Sequence, residues 1–172
     1  AFSGALDAFE ATGIAGSIEH AQLISTDDLP RMARLGIRAS VQPAHLLDDR
    51  DPTMQIWPDR SDRCFALASM AQAGVALRFG SDAPVSPLDP WLAMAAAVHR
   101  SADDRDPWHP EQALTVPQAL AASVDGRPTL GRGSRADIAI LDHDPLAGVG
   151  LTSQEAGQAL RGSGALHAWG AS

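Results

Sequence analysis

Three short apolar runs, at 14–19, 37–41 and 75–79, alternate with segments of helical periodicity, and this alternation constrains the fold more than any other property of the chain. Phe2, Leu6 and Phe9 recur at the spacing of one helix face, and Gly13 ends that pattern. Ser25 is the expected N-cap of a second helix, with acids in its first turn, Leu29, Met32, Ala33 and Leu35 on its apolar side, and Gly36 at its end. A third helix is predicted over 62–74, a fourth over 89–100, and a fifth over 116–124 with Pro117 near its start. Strands that alternate with helices in this way form βα units around a parallel sheet. The stretch 46–59, with Asp48, Asp49, Asp51, Trp57 and two prolines, reads as a long loop of the kind that serves as a lid or binding loop. Residues 101–112 read as a surface loop and 126–135 as irregular, and 136–141 alternates like a strand. The small residues and glycines after 147 leave little to pack, and disorder is expected there.

Each of the three runs ends next to a residue able to do chemistry. His20 follows the first, His45 follows Gln42-Pro43-Ala44 after the second, and Asp82 follows Gly80-Ser81 after the third. In a parallel sheet the carboxyl ends of all strands lie at one edge, so these side chains can converge although far apart in sequence. Imidazole and carboxylate together are the donor set of hydrolytic zinc sites. A carboxylate there also suits a general base. Asp82 after Gly-Ser is equally suited to a turn or a helix cap, and a lone histidine is most often structural. The remaining histidines carry less. His99 reads as solvated or in a helix-end role, Arg100 beside it as solvated or as holding an acidic loop group, His109 as surface, and His143 and His167 as lying in poorly packed segments. Trp91 fits a core position and also the wall of a pocket.

Bulk properties exclude several classes. A net charge of −8 argues against nucleic-acid or anionic-membrane partners. All thirteen basic residues are arginine, so this chain offers no lysine for a Schiff base or a carbamate bridge. The single Cys64 cannot pair internally, reads as a small buried hydrophobe, and fits a reducing, cytoplasmic setting. No run of about 18 apolar residues predicts a membrane span, and residues 1–10 lack the basic region of a signal peptide.

Four ordered motifs now carry a resemblance: Ser17-Ile-Glu-His-Ala-Gln-Leu-Ile24, Ala39-Ser-Val-Gln-Pro-Ala-His45, Gly80-Ser-Asp-Ala-Pro84 and Ala136-Asp-Ile-Ala-Ile-Leu-Asp142. Together they resemble the amidohydrolase superfamily, most nearly amidohydrolase family 3, which includes N-substituted formamide deformylases and is related to D-aminoacylases. The resemblance implies a (β/α)₈ TIM barrel with a small β-sandwich, and metal-dependent hydrolysis of carbon–nitrogen bonds other than peptide bonds. It implies that His20 is the metal-ligand histidine after strand six. Asp82 becomes the strand-eight aspartate that binds the divalent metal, expected to be zinc, or its water, and shuttles protons. His45 takes a strand-seven pocket position, and with Trp91 and the 46–59 loop it would contact a small amide-type substrate. Residues 1–128 would then be part of the barrel domain, 129–146 part of the sandwich and 147–172 an irregular tail. The His-x-His pair after strand one and the ligands after strands four and five have no counterpart here. The expectation is therefore a C-terminal portion, strands six to eight, that pairs with a missing N-terminal half or self-associates over an uncovered apolar sheet face. The alternative expectation is a catalytically silent half barrel.

Overall fold

The computed structural model describes residues 1–141, 144 and 146. Helix α1 (Phe2–Thr12) leads to strand β1 (Ser17–Glu19), then α2 (Asp28–Arg34), β2 (Arg38–Val41) and α3 (His45–Ile56). A 3₁₀ turn (Pro58–Arg63), α4 (Leu67–Gln72), β3 (Leu77–Phe79), α5 (Pro90–His99), a second 3₁₀ turn (Pro110–Gln112) and α6 (Val116–Ser123) complete the order. The three strands form one parallel sheet in the order β1-β2-β3, as the alternation predicts.

The same junction sets the entry to both β2 and β3. Gly36 and Gly74 follow α2 and α4 in the left-handed region, at φ 66° and 84°. The Gly36 amide donates to the Ala33 carbonyl and the Ile37 amide to Met32, while Gly74 donates to Ala71 and Val75 to Met70. These are paired Schellman closures, with the apolar residue after each glycine returning onto the last turn of its helix. Ile37, Met32, Val75 and Met70 are all buried, so the turn that stops each helix also anchors the next strand.

Sheet register separates two faces. Ile18, Ala39 and Leu77 stand opposite one another and belong to the core with Leu6, Met32 and Leu67. The alternate residues are Ser17, Glu19, Arg38, Ser40 and Arg78. The face away from the helices is therefore polar, not apolar as expected, because the strands keep strict period-two alternation. Arg78 on this face pairs with Asp125 just past α6. Gly126, at φ 76°, brings its backbone up against that guanidinium.

Four further expectations are corrected. The stretch 46–59 is not a loop: its first eleven residues lie in α3, followed by the 3₁₀ turn. Leu46 is buried with Cys64, Phe65, Ala96 and Trp108, and that tertiary anchor overrides a composition of aspartates and a mid-helix Pro52. The helix predicted over 62–74 is shorter, because Leu23 and Cys64 form a bridge and Phe65 sits at φ 50° with its amide bonded to the Gln22 carbonyl. Ser25 does not cap α2 with its side chain; the N-cap is Asp27. Residues 136–141 form no strand among the described residues, and Ile140 is 91% exposed. Helices α5 and α6 fall where expected, α6 with a full capping box between Thr115 and Gln118. Residues 147–172, with His167, and also His143 lie outside the described residues. No helix among the described residues is long and apolar enough to cross a membrane.

Candidate metal centre

His20, His45 and Asp82 sit at the carboxyl ends of β1, β2 and β3 respectively, and local backbone geometry aims each of them. His20 and Ala21 both adopt positive φ, at 65° and 44°, and the Ala21 amide donates to the Glu19 carbonyl. Asp82 is also left-handed, at φ 54°, and its carbonyl accepts from the Val85 amide. Non-glycine residues in this region are uncommon and cluster at functional sites. His45 opens α3, its amide bonded to the Gln42 carbonyl across Pro43.

The three side chains meet. His20 Nε2 lies 4.0 Å from Asp82 Oδ2, and the His20 and His45 rings stack with centroids 5.9 Å apart and planes 26° apart. One donor atom from each residue falls within 4.8 Å of the other two. His20 and Asp82 are 46% and 44% exposed at the side chain, whereas His45 is buried and its Nε2 has no hydrogen-bond partner among the described residues. A buried imidazole nitrogen in that state is either an open lone pair or an N–H that lacks an acceptor.

This set fits a divalent ion. Catalytic zinc centres use three protein ligands and leave a further position open, and bonds of about 2.1 Å put neighbouring ligand atoms about 3.4 Å apart. The observed separations need only small side-chain shifts to reach that geometry. The arrangement offers an open three-ligand site facing solvent, with His45 behind and the other two donors in front.

Trp91 is placed differently. It is buried on α5 with Met94, Ala95, Val116 and Ala119, and Phe79 packs against this cluster. The side chain takes the core position, and its connection to the strand ends runs through Phe79. His99 is the last residue of α5, as the helix-end expectation had it, and is buried rather than solvated. Arg100, also expected in solvent, is wholly buried, because its Nε donates to the Trp108 carbonyl and its Nη1 to the Phe65 carbonyl. Burial pushes its guanidinium down to about 10, which leaves it charged at neutral pH. His109 is partly exposed, 3.3 Å from Glu111 and against the Trp108 ring. Cys64 is buried as expected, and burial raises its thiol pKa. Nothing in the composition singled out Arg100; the one available signal was a lone arginine just past an apolar helix.

A parallel sheet whose strand ends bring together two imidazoles and a carboxylate defines a metal-binding α/β class. Residues 1–148 match the model of the Amidohydrolase family, and the chain belongs to that family. It is 30% identical over 142 residues to the amidohydrolase YtcJ of Bacillus subtilis (strain 168), covering 74% of this chain and 27% of that protein. It is 30% identical over 160 residues to the N-substituted formamide deformylase of Arthrobacter pascens, covering 82% and 29%. Among solved structures it is similar to an uncharacterized metal-dependent hydrolase from Pyrococcus horikoshii OT3, at a TM-score of 0.70 and 32% identity, covering 84% of this chain and 32% of that one. The chain thus spans less than a third of the length of these relatives.

Proposed function

We propose that this chain contributes part of the metal centre of a hydrolase that cleaves carbon–nitrogen bonds other than peptide bonds. The observation that carries the reading is the convergence of His20, His45 and Asp82, from three successive βα units, to within 4.8 Å. In this reading β1, β2 and β3 are strands six to eight of a (β/α)₈ barrel, and 129–146 belongs to a small β-sandwich. The polar sheet face of Glu19, Arg38, Ser40 and Arg78 then turns toward the rest of the barrel, supplied by further polypeptide or by a second copy. Family membership and the metal-dependent hydrolase neighbour support this assignment.

His20, His45 and Asp82 would hold the ion, with zinc the metal best matched to two imidazoles and a carboxylate. Such an ion supplies positive charge that acidifies a water molecule and polarises an amide carbonyl. Asp82 has a second carboxylate oxygen beyond the one engaged. That oxygen takes the proton from the attacking water and later delivers it to the departing nitrogen. His20, stacked on His45, is held in one ring orientation, so its nitrogen faces Asp82. The aryl or alkyl group of the substrate enters past the exposed His20–Asp82 pair, with Trp91 bracing the wall through Phe79.

The test is metal analysis of the purified chain together with hydrolysis of N-formyl and N-acyl amines. Bound zinc is expected, with turnover that appears once the rest of the barrel is supplied and disappears in Asp82→Asn. Zinc without hydrolysis would instead favour a second reading, a catalytically silent unit. The half-exposed ligand pair favours it, since an active centre of this kind normally excludes bulk water.

A further inference from the structure

The segment that carries His20 is tied to the body of the fold in two directions. Its backbone is held on one side: the Phe65 amide donates to the Gln22 carbonyl, Leu23 and Cys64 form a bridge, and the Ile24 amide donates to the Arg63 carbonyl. On the other side a side-chain bond crosses to α3, with Gln22 Nε2 donating to Asp49 Oδ2. Gln22 is two residues past His20, and Asp49 is four residues past His45, one turn along the helix that His45 opens. The bond therefore joins the two segments whose imidazoles stack with centroids 5.9 Å apart and planes 26° apart.

We infer that Gln22 and Asp49 are positioning residues for the metal centre, and that their hydrogen bond holds α3 in the rotation that lays His45 on His20. The inference rests on the hydrolase reading above only through the metal centre. Residues i and i+4 share one face of a helix, so a rotation of α3 that parts the two rings also parts Asp49 from Gln22. The other anchors of α3 act elsewhere: Leu46 is buried against Phe65 and Trp108, and Asp51 pairs with Arg105 at the surface. They leave the rotation relative to His20 to the Gln22–Asp49 bond.

Asp49 also differs from the acids around it. Asp48 is exposed and Asp51 takes an arginine, whereas Asp49 is half-buried, makes no ion pair among the described residues and turns to an uncharged amide. One part-buried bond of this kind adds little to global stability, but here it spans two segments that each carry a candidate ligand. Without it, binding an ion must itself bring the rings back together. The affinity lost is then set by the worth of one hydrogen bond, about fivefold.

Two measurements on the full chain test this. The first is histidine-ring NMR of the metal-free protein, in which the ring protons of His45 feel the ring current of His20. His20→Ala gives the position of those signals when the stack is absent. Gln22→Leu and Asp49→Leu are each expected to move the His45 signals toward that position. Asp49→Asn keeps an acceptor oxygen and removes the charge, and is expected to leave them near wild type. The second is zinc affinity by competition with a chromogenic chelator. Each leucine variant is expected to lose about fivefold, the double variant no more than the worse single one, and Asp49→Asn less than about twofold. Gln22→Leu acts from outside α3, so it decides the matter where Asp49→Leu fails to fold. His45 signals unmoved in Gln22→Leu, additive losses in the double variant, or a loss in Asp49→Asn as large as in Asp49→Leu would overturn the inference. The ring signals need neither zinc nor turnover. If they respond as stated in a protein that hydrolyses no amide once the barrel is complete, the hydrolase reading fails alone. Amide hydrolysis with unmoved ring signals would sink this inference alone.

Discussion

His20 Nε2 and Asp82 Oδ2 lie 4.0 Å apart although two full βα units separate them in the chain. Only a parallel sheet in sequential order brings two such residues to one edge, so the contact depends on β1-β2-β3 topology as much as on the side chains. If both hold one ion they act as a unit, and their losses are not additive. His20→Ala and Asp82→Asn are each expected to lower zinc affinity by about tenfold or more. The double variant should lose little beyond the worse single one, measured by competition with a chromogenic chelator. Strictly additive losses would mean the two residues do not share the ion.

Arg100 joins three parts of the fold from a wholly buried position, through the Trp108 and Phe65 carbonyls, each at 3.0 Å. Arg100→Ala takes the side-chain donor from the Trp108 carbonyl and one of two donors from the Phe65 carbonyl, which keeps the Leu67 amide, and empties a wholly buried volume. It is expected to cost about 3 kcal/mol. A urea titration checks this. Arg100→Met, which keeps the volume but not the donors, should cost less than Arg100→Ala. Equal losses would show that the lost hydrogen bonds and not packing set the value.

Gly36 and Gly74 offer a contrast, since a Cβ added at either would meet nothing within 4 Å. Any penalty for alanine there is conformational. Gly36→Ala and Gly74→Ala are each expected to destabilise by about 1 kcal/mol through the positive φ alone. No loss at either position would mean that the Schellman closures are not what stops α2 and α4.

Glu10 bridges α1 to α2 through Arg34 and Arg31, which hold its carboxyl below the ordinary value of 4.5. A folded pKa below the unfolded one stabilises the native state above the ordinary value. That contribution fades as pH falls through the lowered folded value. Glu10→Gln should therefore flatten part of the loss of stability below about pH 4.5, and leave the profile near neutral pH parallel to wild type. Urea midpoints at several pH values test this; an unchanged acid limb would show that the bridge does not tie α1 down.

The strand ends were legible because period-two apolar runs and the residues that stop them are local signals, and His20, His45 and Asp82 follow from them. The family resemblance puts His45 on the pocket side; its stacking on His20 is a tertiary fact that sequence order does not carry. Helix α3 was hidden by its aspartates and Pro52, since the buried Leu46 that anchors it is one residue among many polar ones. The burial of Arg100 is hidden for a similar reason: its partners are backbone carbonyls, which carry no sequence signature. At 136–141 the alternation is genuine, but a strand exists only beside another strand, and none pairs with it among the described residues. The polar character of the sheet face away from the helices is legible in Arg38, Ser40 and Arg78, each standing between apolar neighbours.

The most direct measurement is cobalt(II) titration of the chain followed by visible absorption, for wild type and for His20→Ala, His45→Ala and Asp82→Asn. Wild type should saturate at one equivalent with the intense bands of a low-coordinate nitrogen–oxygen site, and each substitution should weaken or remove them. A spectrum unchanged by any one of the three substitutions, or no saturable binding by the wild-type chain, would contradict a shared metal centre at these strand ends.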